Sequence, residues 1–331
     1  MRGIGFQKDI YLLLKSLSSD RGNFVSGEEL SRAQNISRTA LWKKINLLRE
    51  LGYKIEGHKS KGYRLISSPD IPYPWEIYQN QDSIWQNIIY YRTIKSTNTE
   101  ANALASQGAP HGTVVIAEKQ TGGKGRIGRK WESPSAGNIY LSFILRPEIP
   151  PYLSPQFTLA AGVGIARTVE EITGVKPELK WPNDLLLDRK KFCGVLTELN
   201  SETDRLNFIV MGIGINLNSD LEDYPESLRN GITTLKIATS RVYNRNEFIL
   251  KLLNNLQNEF TILVEKGFSY IKMEWEEYFC MKNEVVIISS QREKLEGKAI
   301  GIDNNGAFLL QLKSGRIERI LSGDVNRLRR V

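Results

Sequence analysis

The sequence predicts an α+β protein of separate modules, and three observations predict it. The chain has 331 residues, and domains usually run to roughly 100–200 residues, so two or three are expected, each with its own core. Charge is unevenly spread: residues 1–67 carry 13 Lys/Arg against 6 Asp/Glu, a net of +7, whereas residues 68–279 come to −3 and residues 280–331 to +4. Patterning changes in step with charge, from helical periodicity, through strands broken by a glycine-rich loop, to short strands separated by Gly and Asn turns. With 40% hydrophobic residues and 25% charged residues of both signs, intrinsic disorder is excluded. No stretch approaches the ~18 uninterrupted apolar residues of a membrane span. Asp9 and Lys15 interrupt the apolar part of residues 1–17, which reads as an amphipathic helix rather than a signal peptide. Cys193 and Cys280 are the only cysteines, and His58 and His111 the only histidines. A disulfide framework, a four-cysteine zinc site and a histidine-rich metal site are therefore not expected, and a reducing cytoplasm is.

The basic module comes first. Ser26 can cap a helix, with Glu29 three residues later as in a capping box. Asn35 and Ile36 break that helix, and Ser37 caps a longer one, 38–51. Leu41, Ile45 and Leu48 recur on its inner face, so Thr39, Lys43 and Asn46 project outward. Gly52 ends it. Residues 53–56 and 62–66 then alternate around the cationic turn 57–61, a hairpin pattern. Helix, turn, helix and basic hairpin resemble a winged helix-turn-helix. In such a module a helix enters the major groove while a cationic wing meets phosphates. Ser37, Arg38, Thr39, Lys43 and Asn46 on the second helix, with Lys59 and Lys61 on the wing, are the candidate DNA contacts. A winged helix that binds only protein would not need this charge. Residues 68–82, rich in proline, read as a linker.

The central region, 83–279, holds four constellations. Ser96-Thr97-Asn98 opens a helix, which by itself is an N-cap. A β-branched strand then enters the loop Gln120-Thr-Gly-Gly-Lys124-Gly125-Arg126-Ile-Gly-Arg129-Lys130-Trp131. Gly123, Gly125 and Gly128 match the dinucleotide pattern GxGxxG. That pattern needs a helix directly after it, and here a turn and a strand follow. A phosphate-binding Walker loop and a kinase glycine loop fail on their neighbouring residues too. The loop still makes chemical sense: glycines let backbone N–H groups approach an anion, and the cations neutralise it. Two mutually repelling anions, such as a carboxylate and a triphosphate, can be brought together there. Third, Lys180-Trp181-Pro182-Asn183-Asp184 leads into a hairpin whose turn is cationic and carries Lys191 just beyond it. Fourth, Gly212 and Gly214 alternate ahead of Asn216, suggesting close approach of backbone or ligand.

In this order and spacing the motifs resemble the biotin–protein ligase family, and with the winged helix ahead of them the resemblance spans nearly the whole chain. It points to the bifunctional form, a biotin–[biotin carboxyl carrier protein] ligase that is also a biotin operon repressor. The resemblance implies a class II synthetase-like mixed α/β catalytic domain for the central region and a small SH3-like β-barrel for residues 280–331. It implies ATP and biotin as substrates, Mg²⁺, a carrier-protein lysine as acceptor, operator DNA, and a homodimer promoted by ligand. It assigns biotin binding to Ser96, Thr97, Asn98, Gln120, Lys124, Gly125, Arg126 and Lys191. Arg126, Arg129, Trp131, Asn183 and Asn216 are assigned to ATP or the adenylate, Arg126 and Lys191 to catalysis, and Asp184 to magnesium. One departure stands out. Lys124 and Ile127 replace arginines common in the family's loop, which lowers its cationic capacity and removes one bidentate fork. A biotin-sensing repressor without transfer activity, and a lipoate ligase relative, remain the alternatives.

Overall fold

The computed structural model describes residues 3–18, 22–80, 82–134, 137–202, 204–289 and 294–327. A short strand, β1 (Ile4–Gly5), precedes helix α1 (Lys8–Ser18), which buries Ile10, Leu13, Leu14 and Leu17. Ser26 Oγ caps α2 (Gly27–Gln34) by accepting from the Glu28 N–H at 3.2 Å, one residue earlier than the capping box expected with Glu29. Ser37 caps α3 (Arg38–Glu50) through the Ala40 N–H, and Leu41, Ile45 and Leu48 are buried as their spacing predicts. Strands β2 (Lys54–His58) and β3 (Gly62–Ser67) form the antiparallel wing, with Lys59 and Lys61 at its tip.

Residues 69–77 are not the free connector that their prolines suggest. Tyr73, Trp75 and Ile77 are buried, and Trp75 Nε1 donates to Tyr53 Oη at 2.7 Å. Proline forbids regular structure here but leaves the aromatic side chains between the prolines free to pack. Asp70 is held by Arg245, which is 5% exposed and whose Nη1 also donates to Glu118 Oε1 at 2.9 Å. The segment is thereby fastened to the central region.

The central region is a sheet covered on both faces. Its elements are β4 (Ile88–Ile94), α4 (Thr97–Ser106), β5 (Val114–Gln120), β6 (Ile139–Leu145), α5 (Pro155–Thr173), β7 (Glu178–Lys180), β8 (Asp184–Leu187), β9 (Lys190–Ser201) and β10 (Leu206–Ile215). Two short helices, α6 (Glu226–Arg229) and α7 (Leu235–Thr239), and two longer ones, α8 (Arg245–Lys266) and α9 (Phe268–Tyr278), follow. Eight strands run in the order β1-β4-β5-β6-β10-β9-β8-β7. Among the strands of the described residues only β4 and β5 pair in parallel, with α4 as the crossover between them. On one face α4 buries Ala101 and Ala105 against Val115, Ile144 and Val210. On the other, α5, α8 and α9 pack against one another over the main core, and α5 also packs on β7, β8 and β9. The edge strand β1 sits outside the basic module, pairing Ile4 with Tyr90 and Gly5 with Ile89 of β4.

Five antiparallel strands close the chain: β11 (Val285–Ser289), β12 (Lys294–Ile302), β13 (Phe308–Gln311), β14 (Ile317–Ile320) and β15 (Asp324–Arg327), ordered β14-β13-β12-β11-β15. Among the described residues this sheet is open, with β14 and β15 as its edges. It docks on the central region through Trp181, whose Nε1 donates to Gly306 O at 3.1 Å and whose ring lies 5.4 Å from that of Phe308.

Candidate active site

One cavity gathers residues from all four central motifs. Its floor is the N-terminus of α4, where β4 ends and Ser96 caps the helix. Gln120 Oε1, at the end of β5, accepts from the Thr97 N–H at 2.8 Å and from Thr97 Oγ1 at 3.1 Å. Ser142 Oγ lies 2.7 Å from Thr97 Oγ1 and 2.6 Å from Asn98 Oδ1. Asn98 Nδ2 donates to Glu198 Oε2 at 2.8 Å. Ser96, Thr97 and Asn98 are all buried, so this polar patch is held in one arrangement by its own hydrogen bonds. Gly212 makes it possible, since a Cβ there would stand 1.9 Å from Asn98 Oδ1.

The glycine loop forms the lid. It curls back on itself: Gly125 N–H donates to Arg129 O at 2.7 Å, and Trp131 N–H to Gly123 O at 2.9 Å. Ile127 and Gly128 both take left-handed backbone, φ 55° and 71°, a conformation that a β-branched residue adopts rarely. The Trp131 ring lies against Gly214 and Gly194, and a Cβ on Gly214 would come within 2.5 Å of it. That contact explains the alternating glycines.

Each cation of the site rests on an acid. Lys191 Nζ is 2.6 Å from Asp184 Oδ1 and 5.2 Å from the Trp131 ring centre. Arg126 Nη1 is 3.5 Å from Asp324 Oδ1 and donates to Asn183 Oδ1 at 3.1 Å. Arg129 pairs with the other oxygen of Asp324. Lys124 Nζ is 3.6 Å from Glu198 Oε1, and Lys130 Nζ is 2.8 Å from Glu132 Oε1. Desolvation lowers the pKa of Arg126, and Asp324 and then Asp184 oppose the shift.

Against this geometry the comparisons decide the family. The profile of the Biotin/lipoate A/B protein ligase family matches residues 90–216. An HTH domain matches residues 9–64, and the Biotin protein ligase C terminal domain matches residues 283–327. The bifunctional ligase/repressor BirA of Bacillus subtilis (strain 168) is 38% identical over 315 residues, covering 94% of this chain and 97% of that protein. The chain belongs to the bifunctional biotin ligase/repressor family. Its Escherichia coli (strain K12) relative of the same name is 31% identical, covering 92% of this chain and 93% of that one. The biotin protein ligase of Aquifex aeolicus in complex with biotin and ATP superposes with a TM-score of 0.64 at 34% identity, over 73% of this chain and 99% of that one.

For a biotin ligase, the motif residues converge well. Ser96, Thr97, Asn98, Gln120, Lys124, Gly125, Arg126, Arg129, Trp131, Asn183, Asp184 and Lys191 all line the cavity. Asn216 stands just behind the wall. It is buried, its Nδ2 donates to Thr233 O at 3.3 Å, and among the described residues its Oδ1 has no partner. Sequence reasoning missed Ser142, Glu198 and Asp324. Ser142 lies inside a strand with no motif around it, and Glu198 ends the stretch that carries Asp184 and Lys191 without any spacing that marks it. Asp324 comes from β15, about two hundred residues from the arginines it holds. Among the described residues no three His, Cys, Asp or Glu side chains converge as a metal site.

On the basic module, Arg38, Lys59, Trp42 and Arg49 line a groove between α3 and the wing. Thr39, Lys43 and Lys61 are exposed, and Ser37 is committed to its cap. Asn46 Oδ1 accepts from Arg49 Nη1 at 3.2 Å.

Proposed function

We propose that this protein activates biotin with ATP, transfers it to a lysine of a biotin carboxyl carrier protein, and binds operator DNA as a repressor of biotin genes. The observation that carries the reading is the convergence of the Ser96-Thr97-Asn98 patch, the cationic glycine loop and Lys191 in one cavity. The polar patch suits the ureido head of biotin, with its two donors and one acceptor. The vitamin's carboxylate would then point toward Lys191 and Arg126. In the first step a carboxylate oxygen attacks the α-phosphorus of ATP, the bond to the bridging oxygen breaks, and pyrophosphate leaves. In the second the acceptor amine attacks the acyl carbon of biotinyl-5′-AMP. An amide forms, AMP leaves, and the amine gives up a proton. No protein nucleophile is needed. The protein's part is to bring two anions together, shield the mixed anhydride from water and spread the developing charge.

Two orphaned buried polar atoms, Trp131 Nε1 and Asn216 Oδ1, support an adenine site at that end of the cavity, since a purine offers both acceptors and a donor. Mg²⁺ would come with the triphosphate, neutralising its charge. It keeps several waters and needs only one or two carboxylates from the protein, and Asp184 is the one we assign. The central region is then a class II synthetase-like catalytic domain. We read the five C-terminal strands as a small SH3-like barrel, and place the domain limits at 1–67, 83–279 and 280–331 with 68–82 as linker. Residues 81, 290–293 and 328–331 fall outside the described set. The two unpaired cysteines support a cytoplasmic location, and no described helix is long and apolar enough to cross a membrane.

Incubation with biotin, ATP-Mg²⁺ and a carrier domain should add one biotin to the carrier, read by mass spectrometry. An unmodified carrier would favour a sensor that transfers nothing, and modification with lipoate instead would favour a lipoate ligase. Arg126 is positioned to retain the adenylate. Arg126→Gly should still form it but let it escape and label bystander lysines. A variant that stays selective for the carrier would remove that role. Ordering of the glycine loop around the adenylate should also favour a homodimer competent for DNA. Sedimentation velocity at micromolar protein should show dimers with biotin and ATP, and persistent monomers would count against the coupling.

A further inference from the structure

Trp42 sits where the DNA-binding reading needs a contact and where no sequence motif points. It is 54% exposed. A lone exposed indole carries no information in itself. Its place does: Thr39, Trp42, Lys43 and Asn46 are spaced i, i+3, i+4 and i+7, so they share the outer face of α3. Trp42 lines the groove between α3 and the wing together with Arg38, Arg49, His58 and Lys59, with Glu28 as its one acid.

Some of the polar groups around Trp42 are engaged with one another. Arg38 pairs with Glu28 at 3.3 Å. Arg49 donates from Nε and Nη2 to Ile55 O at 3.1 and 3.0 Å and from Nη1 to Asn46 Oδ1. Asn46 Oδ1 keeps a second lone pair beyond the bond from Arg49, so its amide can still pair with a polar base edge. Lys43 carries a charge that suits a phosphate or the acceptor edge of guanine. Thr39, Lys43 and Asn46 suit polar base edges, whereas the flat face of Trp42 suits an apolar one, and thymine is the one base that presents a methyl group in the major groove.

Resting on the DNA-binding reading, we propose that Trp42 is a specificity-determining residue that packs on thymine methyl groups in the major groove. The test compares a 40-base-pair alternating dA–dT duplex with its dA–dU counterpart, which lacks only those methyls. The probe is fluorescence anisotropy of labelled duplex with the full chain in biotin and ATP-Mg²⁺. Wild type should bind the thymine duplex about three- to tenfold more tightly. Trp42→Ala should bind both alike, with biotin ligation and the salt dependence of binding unchanged. Lys43→Ala should instead weaken both duplexes equally and lower the salt slope by about one. Trp42→Phe should keep part of the preference and shows that loss in the alanine variant is not misfolding. Equal wild-type affinities, or a preference that survives in Trp42→Ala, would overturn the assignment while leaving DNA binding in place. Failure to bind these duplexes and a mixed-sequence duplex at low salt would overturn the DNA-binding reading itself, and this proposal with it.

Discussion

Lys191→Ala should lower biotin-dependent pyrophosphate release by about 10²- to 10³-fold, the loss typical of removing one preorganised charge stabiliser. The substitution is clean. The main chain of Lys191 is held by bonds that do not involve its side chain: its N–H donates to Gly231 O and its carbonyl accepts from the Thr233 N–H, each at 3.0 Å. What disappears is the ammonium, which lies 2.6 Å from Asp184 and above the Trp131 ring. Without it Asp184 adds to the repulsion between carboxylate and triphosphate. Biotin binding, measured by calorimetry, should fall much less than the rate, because the Ser96-Thr97-Asn98 patch is untouched. Pyrophosphate release at the wild-type rate would take Lys191 out of the reaction.

A second large effect concerns stability. Glu259 on α8 is fully buried, and Arg167 Nη2 lies 3.3 Å from its Oε1. Burial pushes its pKa up to about 7; Arg167 pulls it down, Glu274 pushes it further up, and a hydrogen bond with Asn258 pulls it down. The folded value thus lies above the unfolded one, near 4.5. The protonated acid therefore favours the fold fully below about pH 4.5, and that contribution is lost as pH rises through 7. Glu259→Gln keeps the shape and cannot ionise. Near pH 8.5 it should be more stable than wild type by about 3 kcal/mol relative to the difference between them at pH 4.5. Thermal melts between pH 5 and 8.5 should show the two curves diverging upward. Parallel curves would mean that Glu259 does not change protonation across this range.

Much of this molecule could be read from sequence because its signals are local. Ser26, Ser37 and Ser96 each cap the helix that follows them, and Gly212 and Gly214 alternate because Asn98 and Trp131 lie against them. The Rossmann alternative failed on a local fact, the strand β6 where a helix was required. The unread parts are those that distance in sequence conceals. A two-residue strand such as β1 has no period to detect. Asp324 is one aspartate in a short strand, and nothing near it refers to Arg126 or Arg129. The prolines of residues 69–77 signalled irregular backbone correctly, yet the aromatic packing between them depends on Tyr53 and on Tyr90 of β4. Trp42 belongs to no motif, and only its exposure on the outer face of α3 marks it.

The pairing of β1 with β4 changes how the protein can be taken apart. The DNA-binding module leaves the central sheet at its edge and returns to it through a segment fastened by Asp70 and Arg245, so it is an excursion from that sheet with both feet planted. Removing residues 1–67 would strip β4 of its neighbour and bare a row of backbone donors and acceptors that invites edge-to-edge association. A stand-alone enzyme is better made by keeping residues 3–6 and splicing them to the returning segment, so that the border of the sheet stays clothed.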